Sequence, residues 1–179
     1  MIATEDELRA VLGHPAQRAL DKEIDRLDEH CRSIIARSPF VVISSADGTG
    51  RPDASPKGDQ PGFVLVLDEQ TLAIPDRPGN RRADTFRNVL ANPRVGLLFL
   101  VPGRNETLRV NGRASIVRDP SLLARMAVQA KVPHLALVVA VEEAFVHCGK
   151  CMLRSRLWEP ASWPQVSDLP SHAFMIPMP

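Results

Sequence analysis

The chain has 179 residues, 44% of them hydrophobic, and a formal net charge of +1. That length buries one core and falls short of two large domains. Acids and bases alternate along the sequence, so no global field points to nucleic acid or an anionic membrane, and an anion site must come from a local cluster.

The N-terminal MIATEDELRA begins with acids instead of a basic stretch and an apolar run, so a secretory leader is not expected. No apolar run has the length of a membrane span, and a cytoplasmic location is the expectation. Thr4 with Glu7 reads as a capping box, and Gly13 stops the short helix that follows. From Pro15 onward, Leu20, Ile24, Leu27, Cys31 and Ile34 recur at spacings of three and four, which predicts one amphipathic helix ending before Ser38. Phe40 to Ser45 is a β-branched run, Asp47-Gly48-Thr49-Gly50 a turn, and Arg51 to Lys57 the returning strand. Phe63 to Leu67 and Thr71 to Ile74 form a second hairpin around Asp68-Glu69-Gln70. Asp84 to Leu90 predicts a two-turn helix ended by Asn92-Pro93, and Val95 to Val101 a central strand. Thr107 to Val117 alternates, with Leu108, Val110 and Ile116 on one side and Thr107, Arg109 and Asn111 on the other. Asp119-Pro120 opens a helix as N-cap and first position, and Leu135 to Val146 is a long strand. The prolines and tryptophans from Trp158 onward predict an extended tail. The whole reads as a mainly β protein, a small antiparallel barrel with helical additions.

The segment Ile74-Pro-Asp-Arg-Pro-Gly-Asn-Arg-Arg82 leaves a strand and enters a helix, bringing paired guanidiniums beside free backbone N–H groups. That pattern suits a phosphate, although an exposed polar loop has the same composition, and from this segment alone the two readings stand level. Ser55 and Lys57 share strand parity on the preceding hairpin; taken singly, Lys57 reads as a solvated strand end. Arg109 and Asn111 give a third polar face, belonging to solvent or to a site. Lys150, Arg154 and Trp158 offer charge beside a flat apolar surface, as an aromatic phosphate-bearing cofactor requires, or a basic helix end. Cys148 and Cys151 make a CxxC motif. Zinc would need two further ligands from His147, His172 or Cys31, none at a paired spacing, so all three cysteines are expected to be free thiols. Ser-His-Asp, Walker and Rossmann patterns are absent from the sequence.

In order, Ser38-Pro-Phe40, Ser55-Pro-Lys-Gly-Asp59, Pro61-Gly-Phe63, Ile74 to Arg82, Asn92-Pro-Arg-Val-Gly-Leu-Leu-Phe99, Leu108-Arg-Val-Asn-Gly112 and His147 to Trp158 resemble the FMN-dependent flavoproteins of the pyridoxamine-phosphate-oxidase type. The resemblance spans most of residues 30 to 160. It implies an FMN-binding split β-barrel of about six strands over 38–160, with a helical arm over 1–37 and a tail over 161–179. It further implies a homodimer with FMN at the subunit interface. In that family the strand holding Ser55 and Lys57 runs beside the flavin, and Ile74, Pro75 and Asp76 follow it. Arg81 and Arg82 hold the phosphate, with Arg77 and Asn80 in the same loop. Arg109, Asn111, Lys150, Arg154 and Trp158 would approach the flavin from either subunit. The implied activity is FMN-dependent oxidoreduction of an unidentified substrate. The alternative is a non-enzymatic flavin or tetrapyrrole binder on the same barrel, and a third reading is a zinc-dependent interaction module.

Overall fold

In the computed structural model, which describes residues 1–169, the alternating runs become strands at nearly the expected places. Strand β1 (Phe40–Ala46) and β2 (Pro52–Gly58) form the first hairpin, with Ile43 opposite Ser55 and Val41 opposite Lys57. Its turn is built by Asp47, whose carboxylate accepts from the Thr49 N–H at 2.8 Å and the Arg51 N–H at 3.0 Å. Gly50, at φ 86°, takes a left-handed conformation that a side chain would disfavour. Strands β3 (Leu65–Asp68) and β4 (Thr71–Pro75) form the second hairpin. Strands β5 (Arg94–Leu100), β6 (Thr107–Val117) and β7 (Ala136–His147) complete an antiparallel sheet of seven strands, one for each strand segment read from the sequence, in the order β2-β1-β5-β6-β7-β4-β3. The sheet curls until the ends of β2 and β4, far apart in that order, meet through the Asp59–Arg77 ion pair. This is a mainly β split barrel.

The core lies inside the curl. Val41 and Ile43 meet Leu97 and Phe99 of β5, Leu108 and Val110 of β6, and Val139 of β7, all at most 1% exposed. Hydrophobic transfer at about 25 cal/mol per Å2 makes this the main stabilising contact of the fold. A second, smaller cluster joins Ala73 and Ala136 on the sheet's other face to Leu123 and Met126, which the helix over Pro120–Arg125 and its C-cap bring in below.

Helix α1 (Glu5–Leu12) has its full capping box from Thr4 and Glu7 and buries no side chain. The single helix expected from Pro15 to Ser38 is two: α2 (Gln17–Leu20) and α3 (Glu29–Arg37). Between them the helix is broken by a turn and a single bridge, because Ile24 exchanges backbone hydrogen bonds with Ala144 of β7 and the Leu27 N–H donates to the Glu69 carbonyl at 2.7 Å. Asp28 restarts the helix by accepting from the Cys31 N–H at 2.8 Å. Leu27, Cys31 and Ile34 are buried as their spacing required, but Leu20 is 53% exposed. Helix α4 (Asp84–Ala91) packs on β1, β2 and β6. Helix α5 (Pro120–Arg125) starts on the expected Asp119 cap, and α6 (Lys150–Ser155) follows β7. Among the described residues no helix is long and apolar enough to cross a membrane. Of the tail expected over 161–179, residues 170–179, His172 among them, lie outside the described part.

The cysteines are free thiols in two kinds of surroundings: Cys31 is buried, while Cys148 and Cys151 are exposed. Burial, reinforced by the Asp28 carboxylate, pushes the Cys31 thiol up to about 12, so its nucleophilic thiolate is scarce at neutral pH. A thiol reagent added to the folded protein is therefore expected to consume two thiols quickly and the third only after denaturant. Rapid loss of all three would show that α3 opens readily.

Candidate functional site

The curl leaves a groove of about 1160 Å3 between the β2 edge and the loops above β4 and β7. One wall is β2, where the pairing with Val41 and Ile43 turns Lys57 and Ser55 toward the inner face, which opens at this edge into the groove. Ser55 donates its hydroxyl to Asp53 at 3.0 Å. The floor is the segment from Asp76 to Phe86, and the opposite wall is residues 128–135.

The floor has the chemistry of an anion cradle. Asn80 accepts from the Arg82 N–H at 3.1 Å, and Arg81 and Ala83 both adopt left-handed backbone, at φ 61° and 57°. Left-handed backbone ordinarily falls on glycine, but here it falls on the residues flanking Arg82. Positive φ at non-glycine residues costs of order 1 kcal/mol each and collects at ligand clamps. Alternating handedness also aims successive N–H groups into one concavity, as in anion nests. Helices α1, α3 and α5 are capped by the side chains of Thr4, Asp28 and Asp119, whereas α4, like the short α2 and α6, has no side-chain acceptor at its start, here Ala83. Its first N–H groups therefore face the groove without an intrahelical partner.

The arginines of this loop divide by partner. Arg77 is committed to the protein: its Nε donates to Asp59 Oδ2 at 2.6 Å and its Nη1 to the Met126 carbonyl at 3.0 Å. Next to it, the Asp76 N–H donates to the Leu135 carbonyl at 2.9 Å, so two adjacent residues hold both ends of the 126–135 segment. Arg82 donates to Asp84 at 2.9 Å, an exposed pair that exchanges readily for a better anion. Among the described residues Arg81 and Lys57 make no ion pair.

The sequence-derived candidates thus separate. Ser55, Lys57, Asp76, Arg77, Asn80, Arg81 and Arg82 line one groove. Ile74 and Pro75 are buried within β4. Arg109 and Asn111 lie elsewhere, on the outer sheet face, and both donate to Glu143 of β7. Thr107, expected beside them on a polar face, is buried at 3% exposure. Pairing aligns Val42, Leu98, Arg109 and Phe145 in a row across that face, with the Arg109 guanidinium 5.2 Å from the Phe145 ring centre. Burial and then the Arg109 charge hold His147 below the usual imidazole range. Lys150 and Arg154 are exposed on α6, and Trp158 is anchored through its indole N–H to the Arg104 carbonyl at 2.8 Å. None of these three borders the groove of its own chain.

Sequence reasoning missed the 128–135 wall, with Val128, Lys131 and His134. Its tight turn, Val128 to Lys131, places Gln129 and Ala130 at φ 48° and 62° without the glycine or asparagine that announces such a turn. Thr85 and Phe86 were missed too, because a threonine inside a predicted helix carries no pattern of its own.

A curled antiparallel sheet with a basic loop at its open edge defines the class of protein as a split barrel. Residues 27–148, well over half of the chain, match the family model for pyridoxamine 5'-phosphate oxidase. The chain belongs to the pyridoxamine 5'-phosphate oxidase family. Among solved structures, HupZ from Group A Streptococcus aligns with TM-score 0.54 and 18% identity, over 66% of this chain and 92% of that one. A candidate pyridoxamine 5'-phosphate oxidase from Lactobacillus delbrueckii aligns with TM-score 0.54 and 21% identity, over 68% and 95% of the two chains. A Clostridium acetobutylicum protein related to general stress protein 26 aligns with TM-score 0.50 and 14% identity, over 66% and 85%. At these identities the likeness is one of fold. The curated proteins include no match to this sequence.

Proposed function

We propose that the groove binds FMN and that the protein is an FMN-dependent oxidoreductase. The observation that carries this reading is the meeting of Arg81, Arg82, Lys57 and the uncapped start of α4 around one concavity. The residues fit the group. Guanidinium donors and helix N–H groups match a phosphate dianion, and the β2 wall with Ser55 and Lys57 supplies donors along the length of a flavin. Asp76 begins the groove floor, Ile74 and Pro75 are buried behind it in β4, and Asn80 holds the cradle in shape. When bound, the flavin supplies hydride transfer at its N5 atom. The chain's own part is to grip the phosphate, orient the ring system and hold water away from it.

The same reading makes the site bipartite. The row Val42, Leu98, Arg109 and Phe145 is a half-exposed sheet face that suits a second copy of the chain. In such a dimer Arg109, Asn111, Lys150, Arg154 and Trp158 would reach the flavin from the partner subunit. The test is sedimentation velocity of the purified protein, followed in the visible flavin band. Flavin absorbance is expected to travel with a dimer, and flavin removal to promote dissociation. A flavin-loaded monomer would end the shared-site reading. A Soret band in place of the flavin spectrum would turn the assignment to a tetrapyrrole binder. A bleaching test with a reduced nicotinamide separates an enzyme from a carrier.

A further inference from the structure

We infer that Thr85 is a ligand of the flavin phosphate, its hydroxyl donating to a phosphate oxygen from the first turn of α4. This deepens the FMN reading and rests on it. Thr85 is the second residue of α4, 4% exposed, and borders the groove. Its Oγ1 is fully shielded from solvent and makes no hydrogen bond among the described residues. That is an unusual state for a threonine. A hydroxyl in a helix normally bonds a carbonyl of the preceding turn or meets water, and a buried hydroxyl without a partner carries a desolvation penalty.

The surroundings indicate what satisfies it. Asp84, Thr85 and Phe86 are the first three residues of a helix without a side-chain cap, and all three border the groove. Their N–H groups are therefore unpartnered in the same place as the Thr85 hydroxyl. A single oxyanion accepts from both kinds of donor at once, with Arg81 and Arg82 on its outer side. Lysine or arginine alone would attract any anion, whereas a fixed hydroxyl selects a tetrahedral oxygen group at one position. The hydroxyl is thus unpaired in the flavin-free chain, and it becomes paired when a small opening of the first turn of α4 lets a phosphate oxygen into the space that now shields it.

The consequence is a pair of effects with opposite signs. In Thr85→Val the shape is nearly kept and the unpartnered hydroxyl is removed, so the flavin-free protein should melt at the same temperature as the parent or higher. The same substitution should weaken FMN by roughly tenfold, the loss of one charge-assisted hydrogen bond. Riboflavin, which lacks the phosphate, should bind both proteins alike, and Thr85→Ser should restore FMN affinity. Fluorescence titrations with FMN and riboflavin, together with thermal melts of the flavin-free proteins, measure all four quantities. FMN affinity unchanged in T85V would overturn the inference. So would equal weakening of riboflavin with a lowered melting temperature, which would mark a packing role. If the parent protein takes up neither flavin, the flavin reading itself fails. Titration with inorganic phosphate then still decides whether Thr85 contacts an oxyanion, since T85V should bind it more weakly than the parent and an equal affinity would refute the contact.

Discussion

Replacing Arg81 and Arg82 together by alanine is expected to weaken FMN binding by at least about a hundredfold while leaving riboflavin binding nearly unchanged. Each guanidinium offers charge-assisted, paired donors to phosphate, and such contacts exceed neutral hydrogen bonds by about twofold. The two do not contribute equally. Arg82 must leave Asp84 to reach the ligand, whereas Arg81 has no competing carboxylate among the described residues. Arg81→Ala alone should therefore account for most of the loss, and Asp84→Asn should tighten FMN binding slightly by releasing Arg82. Both arginines are exposed, so the melting temperature of the flavin-free double variant should stay close to that of the parent. Raising the ionic strength should weaken the parent more than the double variant, because the variant has lost the screened interaction. A flavin titration that cannot tell the variant from the parent would remove the phosphate from this loop.

The largest effect on stability is expected at Gly112. A Cβ added there would lie 2.1 Å from the Ala140 carbonyl oxygen, 3.0 Å from its carbon and 3.2 Å from the Val139 side chain. The cause is a bulge. Asn111 pairs with Glu143 and Gly112 with Val141, so the β6–β7 register shifts here and Glu142 is left over. The neighbouring backbone crosses the space that a side chain would need, and β6–β7 is the longest pairing in the sheet. Gly112→Ala can be accommodated only by parting these strands, and we expect a loss of about 3 kcal/mol or more. For a chain of this size that corresponds to roughly 6–12 °C in melting temperature, read by circular dichroism. Ser115→Ala, exposed on the same strand, should shift it by no more than a degree or two. A Gly112→Ala protein that melts with the parent would show that the strands spread at little cost.

Arg77 and Arg81 illustrate how far the candidate site was legible. Both stand in one basic, proline- and glycine-containing loop, and their local pattern does not rank them; only the family resemblance favours Arg81. The structure separates them because Asp59, eighteen positions earlier, and Met126, forty-nine later, happen to lie beside Arg77. The same limit hid the break near Ile24. The helical period through Leu20, Leu27, Cys31 and Ile34 is real, but a backbone pairing with Ala144 outweighs local propensity there. Arg109 and Asn111 were found as polar residues on a strand, and only the closed sheet shows that they face Glu143 on the surface opposite the core.

By itself the sequence determined what depends on near neighbours along the chain. That covers the caps at Thr4 and Asp119, the Asp47 turn, the period of each strand, and the presence of a basic loop between a strand and a helix. These are settled within a few residues, by backbone geometry and side chains that reach two to four positions. Tertiary structure alone decided which polar groups share a groove, which arginine is already occupied, and where the Thr85 hydroxyl is left waiting. Those outcomes depend on how the curled sheet brings distant segments within hydrogen-bond distance, and no local spacing encodes that meeting.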